Sequence, residues 1–315
     1  MFFKLLLKEV GVRPSAGKVA VVAGATRGAG RGIAVELGAA GTTVYCTGRS
    51  VRGRPSDLNR SETIDETAEL VTAAGGKGIA VQTDHTKEEE VRALFERVNE
   101  EQNGQLDVLV NDVWGGESLI SWGQPFWEQD VVTAAKLIER AIFSHIITSR
   151  YGVPLMVAQG QGLVIEITDG DTLEYRGNFL YDFVKTSVIR LAVGMAADLG
   201  GNATTAAGED VPQDNLNITA LALTPGFLRS EEMLDHFGVT EENWQDGAKK
   251  DPNFIASETP YFVGRAVVAL ASDPEVHKKS GKAFSSWTLS EEYGFTDQGG
   301  VKPHWGRYFE EMKRE

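Results

Sequence analysis

Residues 18–37 read KVAVVAGATRGAGRGIAVEL and decide the fold of this chain. The apolar run predicts a buried strand, and the pattern after the glycines predicts a helix that begins at once. A tight turn between them brings unpaired N–H groups and the positive end of the helix dipole together, which suits a pyrophosphate group. Gly24 and Gly28 would let the backbone approach that ligand, and Gly30 would let helix and strand pack closely.

Length and composition limit the class of protein. The chain has 315 residues, of which 42% are hydrophobic and 24% charged, so a full core can form. Strand-like and helix-like segments alternate without a clear linker, which predicts one α/β domain over residues 18–315 after an extension, residues 1–17. The formal net charge of −14 argues against nucleic acid and anionic membranes as partners.

The cysteine content and the chain's first residues bear on metal sites and location. Cys46 is the only cysteine, and the five histidines show no metal-ligand spacing. An internal disulfide and a thiolate metal cluster are therefore excluded, and no metal site is predicted. The apolar start, residues 1–9, is too short for a membrane span and lacks a cleavage site, so a cytoplasmic location is predicted.

Two arginines bear on the choice of cofactor. In dinucleotide sites selective for NAD, an acidic residue near the end of the second strand takes the ribose hydroxyls. Here Arg49 follows the second strand, and Arg27 lies in the glycine turn. Two converging guanidinium groups would suit a 2′-phosphate through charge-assisted bidentate bonds. We predict a preference for NADP(H), with NAD(H) as the alternative if both arginines are solvated surface residues.

Polar residues follow three further predicted strands. Asp84 follows the third strand, where an adenine amino group would lie, and Asn111 follows the fourth. Thr168 and Asp169 follow the fifth. Ligands in open α/β sheets lie beyond the carboxyl ends of the strands, so these turns are expected to face one site.

A tyrosine and a lysine open the next predicted helix. Tyr181 and Lys185 are four residues apart, so both side chains leave the same helical face. By itself this pair does not differ from an exposed tyrosine with a routine lysine neighbour.

The motifs are more informative together than singly, because they occur in a particular order along the chain. The glycine turn, Asp84, Asn111, the Tyr181-x-x-x-Lys185 pair and Pro225-Gly226 together resemble the short-chain dehydrogenase/reductase family over roughly residues 18–283. The resemblance implies a Rossmann-like fold with a doubly wound parallel sheet in three α/β/α layers, and a homodimer or homotetramer. The cofactor-binding residues it suggests are Gly24, Thr26, Arg27, Gly28, Gly30, Arg49, Asp84, Asn111, Lys185, Pro225 and Gly226.

The chemistry implied by the resemblance is hydride transfer between nicotinamide and the carbonyl or secondary alcohol of a small molecule. Tyr181 would donate the proton in reduction and accept it in oxidation. A free phenol has a pKa of about 10, so the Lys185 ammonium should lower it. Lys185 would also hold the nicotinamide ribose.

Two positions depart from the family pattern. The family's catalytic Ser position is taken by Asp169, with Thr168 before it, and Ala141 takes the position of the relay Asn on the central helix. An ionised carboxylate would repel a developing oxyanion, whereas a buried, protonated Asp169 could donate to it. Asp169 could instead bind a cationic or hydroxyl-bearing substrate, or a one-residue shift could give Thr168 the Ser role. The last alternative is lost chemistry, which would make the protein a non-catalytic cofactor-binding sensor or scaffold.

The C-terminal part departs as well. Residues 229–260 occupy the family's usual substrate-binding region and are long enough to form a lid. The aromatic tail with Trp305, Tyr308 and Phe309 could cover the active site or a subunit interface.

Overall fold

The computed structural model describes residues 13–55, 59–200 and 216–314, so the predicted N-terminal extension lies outside the described residues up to residue 12. Seven parallel strands form one sheet in the order β3-β2-β1-β4-β5-β6-β7. The strands are β1 Val19–Ala23, β2 Thr43–Gly48, β3 Lys77–Gln82, β4 Val108–Asn111, β5 Gln161–Ile167, β6 Asn217–Thr224 and β7 Ala283–Ser285.

Helices cover both faces of the sheet. They are α1 Gly28–Ala39, α2 Ile64–Ala74, α3 Glu88–Glu101, α4 Val131–Ile138, α5 Ser144–Gln159, α6 Phe179–Leu199, α7 Glu231–Phe237, α8 Pro260–Ala271, α9 Ser286–Tyr293 and α10 Trp305–Met312. One core cluster joins α1, α2 and α8 to the sheet, and a second joins α3 and α5 to the opposite face. The predicted three-layer Rossmann-like fold is therefore confirmed.

The strand sequences explain why the sheet is central. All five residues of β1 are buried, as are all four of β4, because helices remove both faces of a parallel sheet from water. The chain crosses from one half of the sheet to the other after β3, and β4 then pairs with β1. This reversal opens a crevice at the carboxyl ends of β1 and β4, which is where such sheets bind ligands.

The helical region between β4 and β5 contains an irregularity. A π-helical turn, Glu139–Phe143, joins α4 to α5 and carries Ala141. Single π turns within helices occur frequently at functional sites.

The segment 229–260 contains α7 and two 3₁₀ turns, Trp244–Lys249 and Pro252–Ala256. Its aromatic side chains form their own cluster, with Phe237 and Phe254 centroids 4.3 Å apart. The segment is thus a packed unit against the sheet's carboxyl edge, and its role as a lid stays a prediction.

Candidate active site

A cavity of about 1030 Å³ lies at the carboxyl ends of the strands. Most of the predicted site residues line it, although they come from six different parts of the chain. These are Gly24, Thr26, Arg27, Gly28, Arg49, Asp84, Thr168, Asp169, Tyr181, Lys185, Pro225 and Gly226. Gly30 and Asn111 are not among the lining residues.

The glycine turn is held close to the backbone after β4. Gly24 has φ +92°, and a Cβ there would lie 2.4 Å from the Asp112 carbonyl oxygen. A Cβ at Gly30 would lie 2.3 Å from the Gly24 carbonyl oxygen. Both positions therefore require glycine, the first for conformation and space and the second for the close packing of α1 on the turn.

Gly24→Ala is expected to lower the free energy of unfolding by more than about 3 kcal/mol, because steric overlap adds to the roughly 1–3 kcal/mol of positive-φ strain. Urea titration measures the change. Gly17→Ala is the matched control, since Gly17 has φ +82° and nothing within 4 Å of its Cβ position. Equal losses in both variants would mean that crowding by Asp112 contributes nothing.

A carboxylate from α7 lies on the N-terminus of α1. The Gly28 N–H donates to Glu231 Oε2 at 2.8 Å, and Arg31 Nε lies 3.6 Å from Glu231 Oε1. The helix start therefore already holds an anionic oxygen, which agrees with the anion preference expected of this turn. Sequence reasoning missed Glu231, because a glutamate opening a helix gives no sign of a distant partner.

Two donor atoms of Arg27 make no hydrogen bond to any described residue. Its Nε lies 3.4 Å from Glu62 Oε2, an ion-pair distance without hydrogen-bond geometry. Its Nε and Nη2 are both buried without a hydrogen-bond partner among the described residues. Buried guanidinium donors cost free energy unless an acceptor meets them, so an anionic ligand in the cavity would satisfy Arg27.

Tyr181 and Asp169 form the hydrogen bond at the centre of the site. The Tyr181 hydroxyl donates to Asp169 Oδ2 at 2.7 Å. Burial, followed by the charge of Asp169 and this hydrogen bond, raises the pKa of Tyr181 well above its usual value. The net direction is opposite to the lowering predicted from Lys185, because burial and the carboxylate outweigh the opposing charge of Arg176.

Lys185 lies beside the same pair. Its Nζ sits 4.0 Å from the Trp114 ring centroid and 5.6 Å from that of Tyr181. Burial lowers the pKa of Lys185, while the charges of Asp169 and Asp112 act in the opposite direction. The ammonium therefore faces the cavity over an aromatic wall.

Thr168 and Asp169 make different hydrogen bonds. Thr168 Oγ1 donates to the Lys185 carbonyl oxygen at 2.6 Å, so its proton is used in holding β5 to α6. Asp169 is the residue that meets the Tyr181 hydroxyl.

Arg176 organises the loop that carries Asp169. Its guanidinium donates to the carbonyl oxygens of Asp169, Thr172 and Glu174. It also meets the Asp182 carboxylate at 3.0 Å. A single arginine thus fixes the loop between β5 and α6, and no sequence motif pointed to it.

Asn111 belongs to a buried polar network behind the cavity wall. Its Nδ2 donates to Ser149 Oγ at 2.9 Å and to Glu166 Oε1 at 2.6 Å. His145 contacts Glu166 Oε2 through Nδ1 at 2.6 Å and the Val113 carbonyl oxygen through Nε2 at 3.0 Å. Burial alone would lower the pKa of His145, but the Glu166 carboxylate and the carbonyl raise it. The network ties α5 to β4, β5 and the turn after β4.

Glu258 supports the Pro225-Gly226 turn. Its Oε2 accepts from the Gly226 N–H at 2.9 Å and from Ser286 Oγ at 2.6 Å. Burial raises the pKa of Glu258 to about 8. The side chain therefore fixes one wall of the cavity from behind.

The C-terminal helix α10 lines the cavity beside the Pro225-Gly226 turn, since a Cβ at Gly226 would lie 2.9 Å from Trp305 Cβ. Trp305, Phe309 and Lys313 line the cavity. Lys313 Nζ forms an ion pair with Glu174 Oε2 at 2.8 Å, which links α10 to the loop after β5. Trp305 and Phe309 of the aromatic tail therefore line the cavity, and a role of the tail at a subunit interface stays a prediction.

Two other structural features are absent from the described ranges. No three His, Cys, Asp or Glu side chains in residues 13–55, 59–200 and 216–314 are arranged to hold a metal ion. No helix in the described part of the chain combines the length and apolar character needed to cross a bilayer. The cytoplasmic location stays a prediction.

Comparison with known proteins identifies the family. Residues 18–231 match the family model for short chain dehydrogenases. The mouse protein named dehydrogenase/reductase SDR family member 1 is 34% identical over 92% of this chain and 86% of its own length. The human protein of the same name is 35% identical over 91% of this chain and 85% of its own length.

A solved structure agrees on the fold. A 7α-hydroxysteroid dehydrogenase complexed with NADH and 7-oxo-glycochenodeoxycholic acid superposes with a TM-score of 0.66 at 23% identity, over 93% of this chain and 98% of that one. The family match and the two mammalian relatives agree on one family. This chain belongs to the short-chain dehydrogenase/reductase family of oxidoreductases.

Proposed function

We propose that the protein is an NADP(H)-dependent oxidoreductase that transfers hydride between nicotinamide and the carbonyl or secondary alcohol of a small, apolar molecule. The observation that carries the proposal is the position of Tyr181 and Lys185 on the wall of the same cavity as the glycine turn and Arg27. The alternative of a cofactor-binding protein without turnover is not favoured, because the chain keeps both residues and belongs to an oxidoreductase family.

The residues present fit a dinucleotide. Gly24 lets the turn lie directly against the Asp112 backbone, where a Cβ would not fit, and the buried donors of Arg27 lack an acceptor among the described residues. The glycine turn would hold the pyrophosphate, Lys185 the nicotinamide ribose, and Arg27 and Arg49 the 2′-phosphate. A bound nicotinamide supplies the hydride acceptor or donor.

Tyr181 favours the direction of reduction. Its raised pKa keeps the phenol protonated at neutral pH, which is the form that donates a proton to a substrate oxygen. Oxidation needs the phenolate, which the Asp169 carboxylate disfavours.

The aromatic lining of the cavity favours a substrate with an apolar carbon skeleton. Trp114, Trp122, Trp305 and Phe309 line it. Trp114 and Trp122 also pack on the Tyr181 ring, with centroids 5.6 and 5.3 Å away. Aromatic walls beside one proton donor suit a cyclic or branched ketone better than a charged sugar. The relative solved with a bile-acid ligand supports including bulky cyclic ketones in a substrate screen.

Arg27→Gln tests the cofactor preference. We expect calorimetry to give a Kd for NADPH that rises by about 10- to 100-fold, because a charge-assisted contact of roughly 1.5–3 kcal/mol is lost, with little change for NADH. Arg92→Gln, an exposed arginine on α3, controls for the loss of one positive charge. Equal weakening of NADPH and NADH, or tighter NADH binding by the unaltered protein, would contradict the proposed preference.

We further propose that the protein is a homo-oligomer. The helix α6 contacts the π turn that leads into α5, and exposed apolar side chains lie on these elements, namely Phe143, Ile146, Phe179 and Phe183. Exposed large apolar side chains in a group are typical of interaction surfaces. Phe183→Glu is expected to shift the mass measured by light scattering to that of the monomer, whereas Val301→Glu, at another exposed apolar position, should not. A monomeric unaltered protein would contradict the proposal.

A further inference from the structure

Arg140 is a charged residue in a buried position. It belongs to the π turn Glu139–Phe143, yet it is only 8% exposed and lines the same cavity as Arg49. Arginine is seldom buried unless polar contacts hold its guanidinium group in place. The sequence gives no sign of this, because Arg140 follows Glu139 in what reads as a continuous helix.

Arg140 and Arg49 converge over the turn after β4. Arg140 Nη1 donates to the Gly115 carbonyl oxygen at 2.9 Å. From the position that a Cβ on Gly115 would occupy, Arg49 Nη2 lies 3.5 Å away and Arg140 Nη1 lies 3.8 Å away. Two guanidinium groups, one from the end of β2 and one from the π turn, therefore reach the same small region of the cavity wall.

This arrangement suits a doubly charged anion. An anion that meets both guanidinium groups gains charge-assisted hydrogen bonds from each of them. The contact with Gly115 fixes one nitrogen of Arg140 and so sets the plane of its donor fork, which matches phosphate oxygens. Asp84, which follows β3 as Arg49 follows β2, also lines the cavity, and the adenine end of a dinucleotide is expected beside it.

We propose that Arg140 is a specificity-determining residue that, together with Arg49, binds the 2′-phosphate of an adenosine 2′-phosphate ligand. The inference rests on the proposed function, since it deepens the assignment of the cofactor site. The 2′-phosphate would then have three arginines near it, Arg27, Arg49 and Arg140. The π turn would direct Arg140 into the cavity instead of into solvent.

The test compares two probes that differ only in the 2′-phosphate, adenosine 2′,5′-bisphosphate and adenosine 5′-monophosphate, by calorimetry on the full chain. Arg140→Gln removes the charge and keeps a donor for the Gly115 carbonyl. It is expected to weaken binding of the bisphosphate by about tenfold and to leave the monophosphate nearly unchanged, as expected for one lost charge-assisted contact. Arg140→Lys should retain most of the discrimination, and Arg150→Gln, an exposed arginine on α5, should retain all of it.

The outcomes separate this inference from the proposed function. Equal weakening of both probes in Arg140→Gln would mean that Arg140 only shapes the wall through Gly115, and no weakening of either would mean that it does not meet the ligand. Both results overturn the inference. If Arg49→Gln loses discrimination while Arg140→Gln keeps it, the inference fails and the NADP(H) preference stands. If the unaltered protein binds both probes equally, the NADP(H) preference itself fails.

Discussion

Tyr181→Phe is expected to lower kcat for NADPH-dependent carbonyl reduction by about 10²- to 10⁴-fold, the usual contribution of a positioned general acid. The variant removes only the hydroxyl that donates to Asp169 at 2.7 Å, and the ring can keep its contacts with Trp114 and Trp122. The Kd for NADPH, measured by calorimetry, should therefore change little. Stoichiometric NADPH consumption across a panel of carbonyl compounds gives the rate.

Tyr151→Phe is the matched control for this variant. The Tyr151 hydroxyl donates to Glu88 at 2.7 Å on the surface formed by α3 and α5, away from the residues that line the cavity. It should reduce carbonyl compounds at the rate of the unaltered protein. Unchanged turnover in Tyr181→Phe would show that another group supplies the proton and would remove the proposed mechanism.

The fold could be predicted because its decisive signals are local. The apolar run before Gly24 and the glycine spacing determine a strand, a turn and a helix within 20 residues, and the structure has β1 and α1 there. The family could be predicted because its motifs stand at strand ends, which a parallel sheet gathers at one edge. The positions of Tyr181 and Lys185 on one face follow from the helical period alone.

The contacts that define the site were not predictable in the same way, because they join residues distant in sequence. Glu231 meets Gly28 across 203 positions, and Lys313 meets Glu174 across 139. The π turn that carries Arg140 depends on a single extra residue per turn, which hydrophobic periodicity does not resolve. The raised pKa of Tyr181 depends on burial and on a hydrogen bond, neither of which the spacing of Tyr181 and Lys185 contains.

Asp169 is the residue on which the direction of the reaction depends. We predict that it takes the position of the family's Ser, and its carboxylate is one of the causes that raise the pKa of Tyr181. Removal of the carboxylate removes both its charge and its hydrogen bond, so the pKa of Tyr181 falls toward the value set by burial alone. At any pH below that pKa, each unit of decrease makes the phenolate about tenfold more abundant.

Asp169→Ser is therefore expected to speed oxidation of a secondary alcohol with NADP⁺ by about tenfold or more at pH 8, and to move the rising limb of the pH–rate profile to lower pH. The new hydroxyl can also donate to the substrate oxygen, which should speed reduction. Asp169→Ala separates the two effects, because it should move the profile without the gain in reduction. Asp198→Ser, at an exposed position near the end of α6, controls for the loss of one negative charge.

Two other results would each change the account of this site. An unmoved pH profile in both Asp169 variants would mean that the carboxylate does not govern the proton on Tyr181 during turnover. A loss of rate in both directions would mean that Asp169 has a role of its own, such as binding a hydroxyl or cationic group of the substrate. In that case the substrate would replace the Tyr181 hydroxyl as the hydrogen-bond partner of Asp169, and the 2.7 Å hydrogen bond would belong to the protein before the substrate binds.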